Sequence, residues 1–447
     1  MTKAPHFIFK SCRFEPEEQT VFLDYAYSSG QTFTEIISFP DAKTVFTPTE
    51  RDILDRILHS LHLAAGISYY KAYCSPHIII ETQAISRAEA DFFYKFYLLG
   101  LGEFSVENDL DLREVINFPA DRTETPHPRP LTLKPMNAVP IGGGKDSLVS
   151  LEILRKSPQP FRPIAINAGP PILDVIARAD CASPILIRRK LDPALFQLNE
   201  QGAYNGHVPI TGILSFIMAF AAILYDYDTV VMSNEQSANE GNMVKNGLAI
   251  NHQYSKSLEF EQDFSHFIQK HITPDFKYFS LLRPLSESGI AALFSRTEKY
   301  FPTFKSCNRN FHISEGMRQY GWCCDCPKCR FVYLALAPFI GKSGIIEIFG
   351  RDMLNDNAQE EGFRELLGLK GHKPFECVGE IGECRLLLKS LSLMPEWQDS
   401  RLVPLLAAEI KESGLSLPDL TAASLKKYPD HNLPVEFERM LDDFIGS

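Results

Sequence analysis

Between Ile141 and Leu148 the chain reads Ile-Gly-Gly-Gly-Lys-Asp-Ser-Leu, with Gly142, Gly143 and Gly144 running straight into Lys145, Asp146 and Ser147. Consecutive glycines let backbone N–H groups turn toward an anion, and a helix starting behind them adds the positive end of its dipole. A phosphate cradle is therefore expected here, with Lys145 inside it. The run is not the ordinary P-loop. Val139 stands where that motif has its first glycine, and Asp146 follows the lysine in place of Ser or Thr. The plainer alternative is a glycine-rich turn with no ligand. A second polar run, Ser233 to Asn242, carries Asn234, Glu235 and Glu240, whose carboxylates are hard oxygen donors of the kind Mg²⁺ takes. Its plainer alternative is a solvated loop.

Thiols form the other concentration of chemistry. Cys323, Cys326 and Cys329 make a C-x-x-C-x-x-C run, and Cys307 lies upstream as a fourth thiolate. Four sulfurs suit a closed tetrahedral zinc site of the structural kind. An iron–sulfur cluster competes, because soft thiolates select it too, and reduced unliganded thiols are the third reading. Cys324 is the expected bystander.

These residues need a scaffold. Ala138–Ile141, Pro163–Asn167, Pro184–Ile187 and Thr229–Met232 read as bare apolar strands, alternating with helices from about Ser147, after Pro171 and over Ile213–Tyr225. That rhythm marks an α/β fold, a doubly wound parallel sheet covered on both faces. The glycine loop then lies between the first such strand and its helix. The polar run 233–242 follows the fourth strand, where ligands of open parallel sheets bind. Upstream, Val21, Leu23, Tyr25 and Tyr27 alternate on one face of a hairpin that breaks at Ser28-Ser29-Gly30. Thr47-Pro48-Thr49-Glu50 fits a capping box opening a helix with Ile53, Ile57 and Leu61 inward and Gly66 as its stop. Five prolines between Phe118 and Pro135 exclude regular structure and mark a linker. The division expected is an N-terminal α+β domain (1–117), the linker (118–135), a nucleotide-binding domain with the cysteine site (136–340), and a mostly helical region (341–447). Leu402, Leu405, Leu406 and Ile410 share one stripe of that last part.

Composition narrows the partners. The 447 residues carry 45 Lys and Arg against 56 Asp and Glu, a net charge of −11, which disfavours a large polyanion such as nucleic acid. Met1–Glu18 lacks the apolar core of a signal peptide. The longest apolar stretch, Ile213–Tyr225, is too short to span a bilayer. Ten cysteines without an export signal read as reduced thiols or metal ligands. A soluble cytoplasmic protein with no membrane contact is expected.

The Gly-Gly-x-Asp-Ser pattern of Gly143, Gly144, Asp146 and Ser147 resembles the PP-loop ATP pyrophosphatases of HUP-like fold, with Gly142 where that family has a serine. The resemblance implies ATP binding and cleavage to AMP and pyrophosphate while a substrate oxygen is adenylated. One distant cysteine followed by C-x-x-C-x-x-C and Arg330 is similar to the pattern closing that domain in synthases of the queuosine nitrile precursor. Tyr69-Tyr70-Lys71, Phe96 to Phe104, Ser233 to Asn242, Asn251 to Ser257, Cys323 to Phe331 and Lys373 to Cys377 together resemble the MurL family. That family comprises UDP-N-acetylmuramoyl-L-alanyl-L-glutamate epimerases of peptidoglycan synthesis.

The resemblance implies ATP-dependent inversion of the terminal L-Glu of a UDP-linked muramoyl dipeptide, with ATP, Mg²⁺ and a structural Zn²⁺. Gly142, Gly143, Gly144, Lys145, Asp146, Ser147, Asn234 and Glu235 would bind ATP. Lys145 would hold phosphates, Asp146 would position nucleotide or metal, and Glu235 and Glu240 would carry Mg²⁺. An α-carbon flip needs a proton acceptor and a donor tuned near neutral pH. His252, Tyr254 and Lys256 offer such groups, as do the thiols of Cys324 and Cys377. Arg283, Arg296 and Lys305 are candidate anchors for pyrophosphate or carboxylate. The N-terminal part is the expected substrate recogniser. Another adenylating PP-loop enzyme, or a non-catalytic ATP-binding module, is the alternative.

Overall fold

The computed structural model describes residues 4–124, 127–311, 316, 318–371, 374, 376–412 and 417–446; Pro126 of the linker and Lys373 and Phe375 of the 373–377 stretch lie outside them. Its strands are β1 (His6–Glu15), β2 (Thr20–Tyr27), β3 (Thr32–Ser38), β4 (His77–Ile80), β5 (Asn137–Pro140), β6 (Phe161–Ile166), β7 (Ile185–Lys190), β8 (Thr229–Met232), β9 (Met243–Lys245), β10 (Leu248–Ile250) and β11 (Lys277–Ser280). All but β9 and β10, which form a small hairpin, join one nine-stranded sheet in the order β11-β8-β5-β6-β7-β3-β2-β1-β4. The run β11-β8-β5-β6-β7 is parallel throughout. Strands β1, β2 and β3 form an antiparallel meander.

Pairing of Ile36–Ser38 in β3 with Arg188–Lys190 in β7 carries the meander into the parallel half without a break. Strand β1 buries Phe7 and Phe9 but exposes Lys10, Ser11, Arg13 and Glu15, four of its ten residues. That mixed pattern hid it from the sequence reading, and β11 escaped because it is only four residues long.

The central strands are short and apolar because both faces are covered. In β5, β8 and β11, Ala138, Val230 and Tyr278 pack into one core while Val139, Val231 and Phe279 pack into the other. Side chains of a strand alternate faces, so two cores on one strand are what a sheet sandwiched by helices requires. The first core holds Pro48–Ala65 and Ile210–Tyr225, and the second Lys145–Leu154, Pro327–Ile340 and the C-terminal helices. No helix among the described residues is long and apolar enough to cross a membrane.

Local expectations are met where a short motif dictates them. Thr47 accepts from the Glu50 amide at 3.2 Å while the Glu50 carboxylate accepts from Thr47 N–H at 2.8 Å, with Pro48 opening the helix. Gly66 follows that helix for a different reason than a left-handed stop. Its backbone is right-handed, and a Cβ there would sit 2.4 Å from the Phe9 ring. Residues 127–135 form neither helix nor strand and are strapped down, Leu131 N–H donating to Asp275 at 2.8 Å. In Leu402–Glu412, Leu402, Leu406 and Ile410 are buried, but Leu405 at the stripe's edge is exposed.

The parallel half positions the site. Strand β5 comes first in sequence yet lies in the middle, with β6 and β7 on one side and β8 and β11 on the other. The crossover direction reverses between β5 and β8, and a crevice opens beyond the carboxyl ends of strands at such a point. Both the glycine loop after β5 and the polar run after β8 leave from that edge.

Candidate functional site

The glycine loop is open on one side and pinned on the other. A Cβ on Gly142 would meet nothing within 4 Å, whereas one on Gly144 would sit 2.7 Å from Ser306 Oγ. Gly143 adopts φ +83°, the left-handed region that glycine enters at no steric cost, and its carbonyl accepts from Lys305 N–H at 2.9 Å. Gly144 caps the helix Lys145–Leu154 without a side-chain hydrogen bond. Ser147 turns its hydroxyl back to Gly144 O at 3.2 Å.

Below the loop, Lys145 is buried and its ammonium is held between Asp146 and Glu287. To meet a phosphate it would have to exchange one of these carboxylates. Burial works against the Asp146 charge, yet Lys145, Lys328 and Lys256 together hold the carboxyl below its ordinary range. Glu287 is pushed the other way, by burial and by Asp146 and Glu235, against the pull of Lys145. Three acidic groups, Asp146, Glu235 and Glu287, thus share the crevice with three basic ones, Lys145, Lys256 and Lys328.

Asn234 and Glu235 follow β8 and are buried; Asn234 donates to Ser280 Oγ at 3.0 Å, and Ser237 Oγ lies 3.3 Å from Glu235. Glu240, beyond a short 3₁₀ turn over Gln236–Asn239, is exposed. Only Glu235 of the pair acts on both Lys256 and Glu287. Arg283, fully buried, donates to Glu235 O at 2.7 Å, Lys256 O at 2.6 Å and Glu261 Oε2 at 3.1 Å. It fastens the two segments together and does not face the crevice as an anchor. Arg296 reaches the carbonyls of Phe444 and Ile445, each at 3.3 Å. Lys305 lies over the Trp322 ring at 5.5 Å. Tyr254 packs edge-on against Phe260 in the first core.

Lys256 and His252 converge with residues from far along the chain. The Lys256 ammonium donates to Cys377 Sγ at 3.0 Å, and Lys328 donates to the Cys377 carbonyl. His252 lies beside the same sulfur, and its Nδ1 pairs with Glu103. Burial disfavours a thiolate at Cys377, but Lys256, His252 and Lys328 overcome it and bring the pKa down to about 6. Burial likewise disfavours charged His252, but its bonds to Cys377 and Glu103 raise it to about 9. His207, 3.6 Å from Glu103 and 4.5 Å ring to ring from His252, is driven down to about 4 by burial and by the His252 charge. Although Glu103, His207 and His252 bring one ligand atom each within 4.8 Å of the others, Glu103 is already bonded to the His252 ring, and the group serves to orient that ring. Of these, His207 and Glu287 carry no local sequence signal. Glu103 sits inside a run singled out only as a resemblance, and Lys328 inside the cysteine run, which was singled out for its thiols.

The four cysteines meet as their spacing predicts. Sulfur atoms of Cys307, Cys323, Cys326 and Cys329 all lie within 4.8 Å, with Cys307–Cys326 at 4.0 Å and Cys323–Cys329 at 3.7 Å. A tetrahedral ion with metal–sulfur bonds of about 2.3 Å sets its ligands about 3.8 Å apart, so the group fits a single ion and leaves no room for a cage of irons. Cys324 points elsewhere, donating toward Phe349 O at 3.5 Å. A cavity of about 820 Å³ lies beside the 233–242 run, lined by Asn239, Gly241, Asn251 and His431 among others; the glycine loop and Cys377 do not line it.

A mixed α/β chain with a glycine loop at its topological switch point and a partly buried thiol–imidazole–carboxylate array has the equipment of an enzyme of the α/β class. Residues 1–281 match the model of the MurL N-terminal domain and residues 303–419 that of the MurL C-terminal domain. The chain belongs to the MurL family. It is 40% identical over 397 residues (89% of this chain, 88% of the relative) to the UDP-N-acetyl-alpha-D-muramoyl-L-alanyl-L-glutamate epimerase of Xanthomonas oryzae pv. oryzae. Proteins of the same name from Micromonospora sp. and Salinispora tropica are each 38% identical. The first alignment covers 97% of both chains, and the second 91% of this chain and 89% of the relative.

Proposed function

We propose that this protein inverts the terminal L-Glu of UDP-N-acetylmuramoyl-L-Ala-L-Glu to D-Glu, in peptidoglycan precursor synthesis, activating the substrate with ATP as an acyl-adenylate and releasing AMP and diphosphate. The observation that carries the reaction is the end-to-end similarity to epimerases of that substrate. The ATP step is supported by the open, uncapped glycine loop at the switch point, as in the PP-loop pyrophosphatases.

Activation answers a specific difficulty. Removing Cα–H beside a free carboxylate places a second negative charge next to the first. Adenylation removes the first charge and makes the carbonyl an electron sink. Lowering the Cα–H pKa by roughly ten units takes about 14 kcal/mol off deprotonation. The amides of residues 142–147 hold the phosphates, and Lys145 holds Asp146 in place. Asp146 and Glu235, hard donors beside the loop, are the residues to carry Mg²⁺, with Glu240 at the rim. Mg²⁺ there neutralises phosphate charge. His252 and Lys256 serve proton transfer, residues 1–117 recognise the substrate, and Cys307, Cys323, Cys326 and Cys329 hold a structural Zn²⁺.

The test is diphosphate release with the UDP-linked dipeptide in deuterated water. AMP, deuterium at the glutamate α-carbon and an inverted centre are expected. ADP with orthophosphate, or an untouched nucleotide, ends this reading. Turnover on a nucleobase substrate instead selects another adenylating activity.

A further inference from the structure

Cys377, His252 and Glu103 come from three separate parts of the chain and form one connected row. Glu103 pairs with His252 Nδ1, the ring reaches the Cys377 sulfur, and Lys256 donates to that sulfur at 3.0 Å. A nucleophile within reach of a base that is itself oriented by a third group is the arrangement of covalent catalysis. The backbone of Cys377 is fixed as well, since Lys328, on the helix Pro327–Ile340, donates to its carbonyl. Lys256 and Lys328 are the same two side chains whose charges act on Asp146, so the sulfur and the Asp146 carboxylate share one pair of ammonium groups.

A thiol and an ammonium in contact are badly placed to work as a two-base pair. The two groups that exchange a proton across an α-carbon must stand on opposite faces of it, and a carbon does not fit between atoms 3.0 Å apart. The same contact suits a thiolate nucleophile with its counter-ion.

Building on the function proposed above, we infer that Cys377 is an acyl acceptor: its thiolate takes the glutamyl group from the adenylate, and inversion occurs on the resulting enzyme thioester. The sulfur attacks the adenylate carbonyl, the C–S bond forms, the acyl C–O bond breaks, and AMP leaves with the electron pair. The thioester remains an electron sink for the α-carbanion. Loss of the thiolate charge strips His252 of an anionic partner, so that it releases its proton to solvent and takes the one from Cα on one face, while a solvent-derived proton returns to the opposite face. Water then cleaves the C–S bond, giving free carboxylate and thiolate and releasing two protons. Because His252 and Lys256 both touch the acceptor sulfur, tethering brings Cα within reach of both.

Trapping tests this on the intact protein. Wild type mixed with ATP, Mg²⁺ and the UDP-linked dipeptide, quenched in acid and digested, should show the peptide containing Cys377 heavier by the substrate minus water. The adduct should be absent without ATP, and hydroxylamine should release it as the hydroxamate. Cys377→Ser should release about one equivalent of diphosphate per chain and then stall, with no AMP and no α-deuterium. Inversion by Cys377→Ser at the wild-type rate, with no adduct on wild type, overturns the thioester and leaves the adenylation reading intact. Wild type that releases no diphosphate overturns both.

Discussion

Lys145 and Glu287, 142 positions apart in sequence, form a buried ion pair beneath the glycine loop, their side chains 1% and 2% exposed. The pair ties the helix Lys145–Leu154 to the helix Glu287–Phe294, across the second core. Glu287→Ala leaves the buried Lys145 ammonium with Asp146 as its remaining carboxylate partner, so it should destabilise by less than the ~3–5 kcal/mol of a fully orphaned buried charge, read by urea unfolding.

Asp146 sits where three lysine charges converge. Asp146→Ala should abolish AMP formation while unfolding cooperatively like wild type. Full turnover in that variant would mean that the nucleotide site lies elsewhere.

Reactivity of Cys377 should follow pH with a displaced midpoint. Its pKa is lowered from 9.0 to about 6, so the thiolate predominates above about 6 and is lost as pH falls through that value. Alkylation by iodoacetamide, read by mass at the peptide containing Cys377, should rise through about pH 6 and level off. In Lys256→Met the midpoint should move up by about one unit or more, because the closest cation is gone.

How much of this was legible in the sequence depended on how local the signal is. The capping box at Thr47, the bare strands β5, β6 and β8, the glycine loop and the cysteine spacing are fixed within a few residues, and each could be read directly. Strand β1 was missed because its second half, from Lys10 to Glu15, is largely polar and exposed, so the Phe7–Phe9 run alone looked too short for a strand. The row through Cys377 was legible only as isolated pieces. Nothing near His252 announces Glu103, 149 positions upstream, and nothing near Lys256 announces Cys377, 121 positions downstream. Such contacts are set by the folding of the chain around the sheet, and a single sequence carries no record of them.

Metal content gives a separate check. About one zinc per chain is expected, and it should be lost in Cys326→Ser and Cys329→Ser. Cys326 also caps the helix Pro327–Ile340, accepting from the Cys329 amide at 3.4 Å, so loss of the metal should lower thermal stability too. Iron in the purified protein would overturn the assignment.

Thr47→Ala tests the fold away from the site. Loss of the cap should cost about 1 kcal/mol in denaturant unfolding and leave diphosphate release at the wild-type rate. A larger loss would show that the cap does more than end its helix.

The ladder between β3 and β7 has a mechanical consequence. It locks the amino-terminal meander and the parallel half of the sheet into one twisted plate, and prying them apart would tear backbone hydrogen bonds between Ile36–Ser38 and Arg188–Lys190. A clamshell motion between the two halves is thereby disfavoured. A substrate must then enter and leave through the segments that rim the crevice, and turnover would be paced by their rearrangement, with the plate itself staying still.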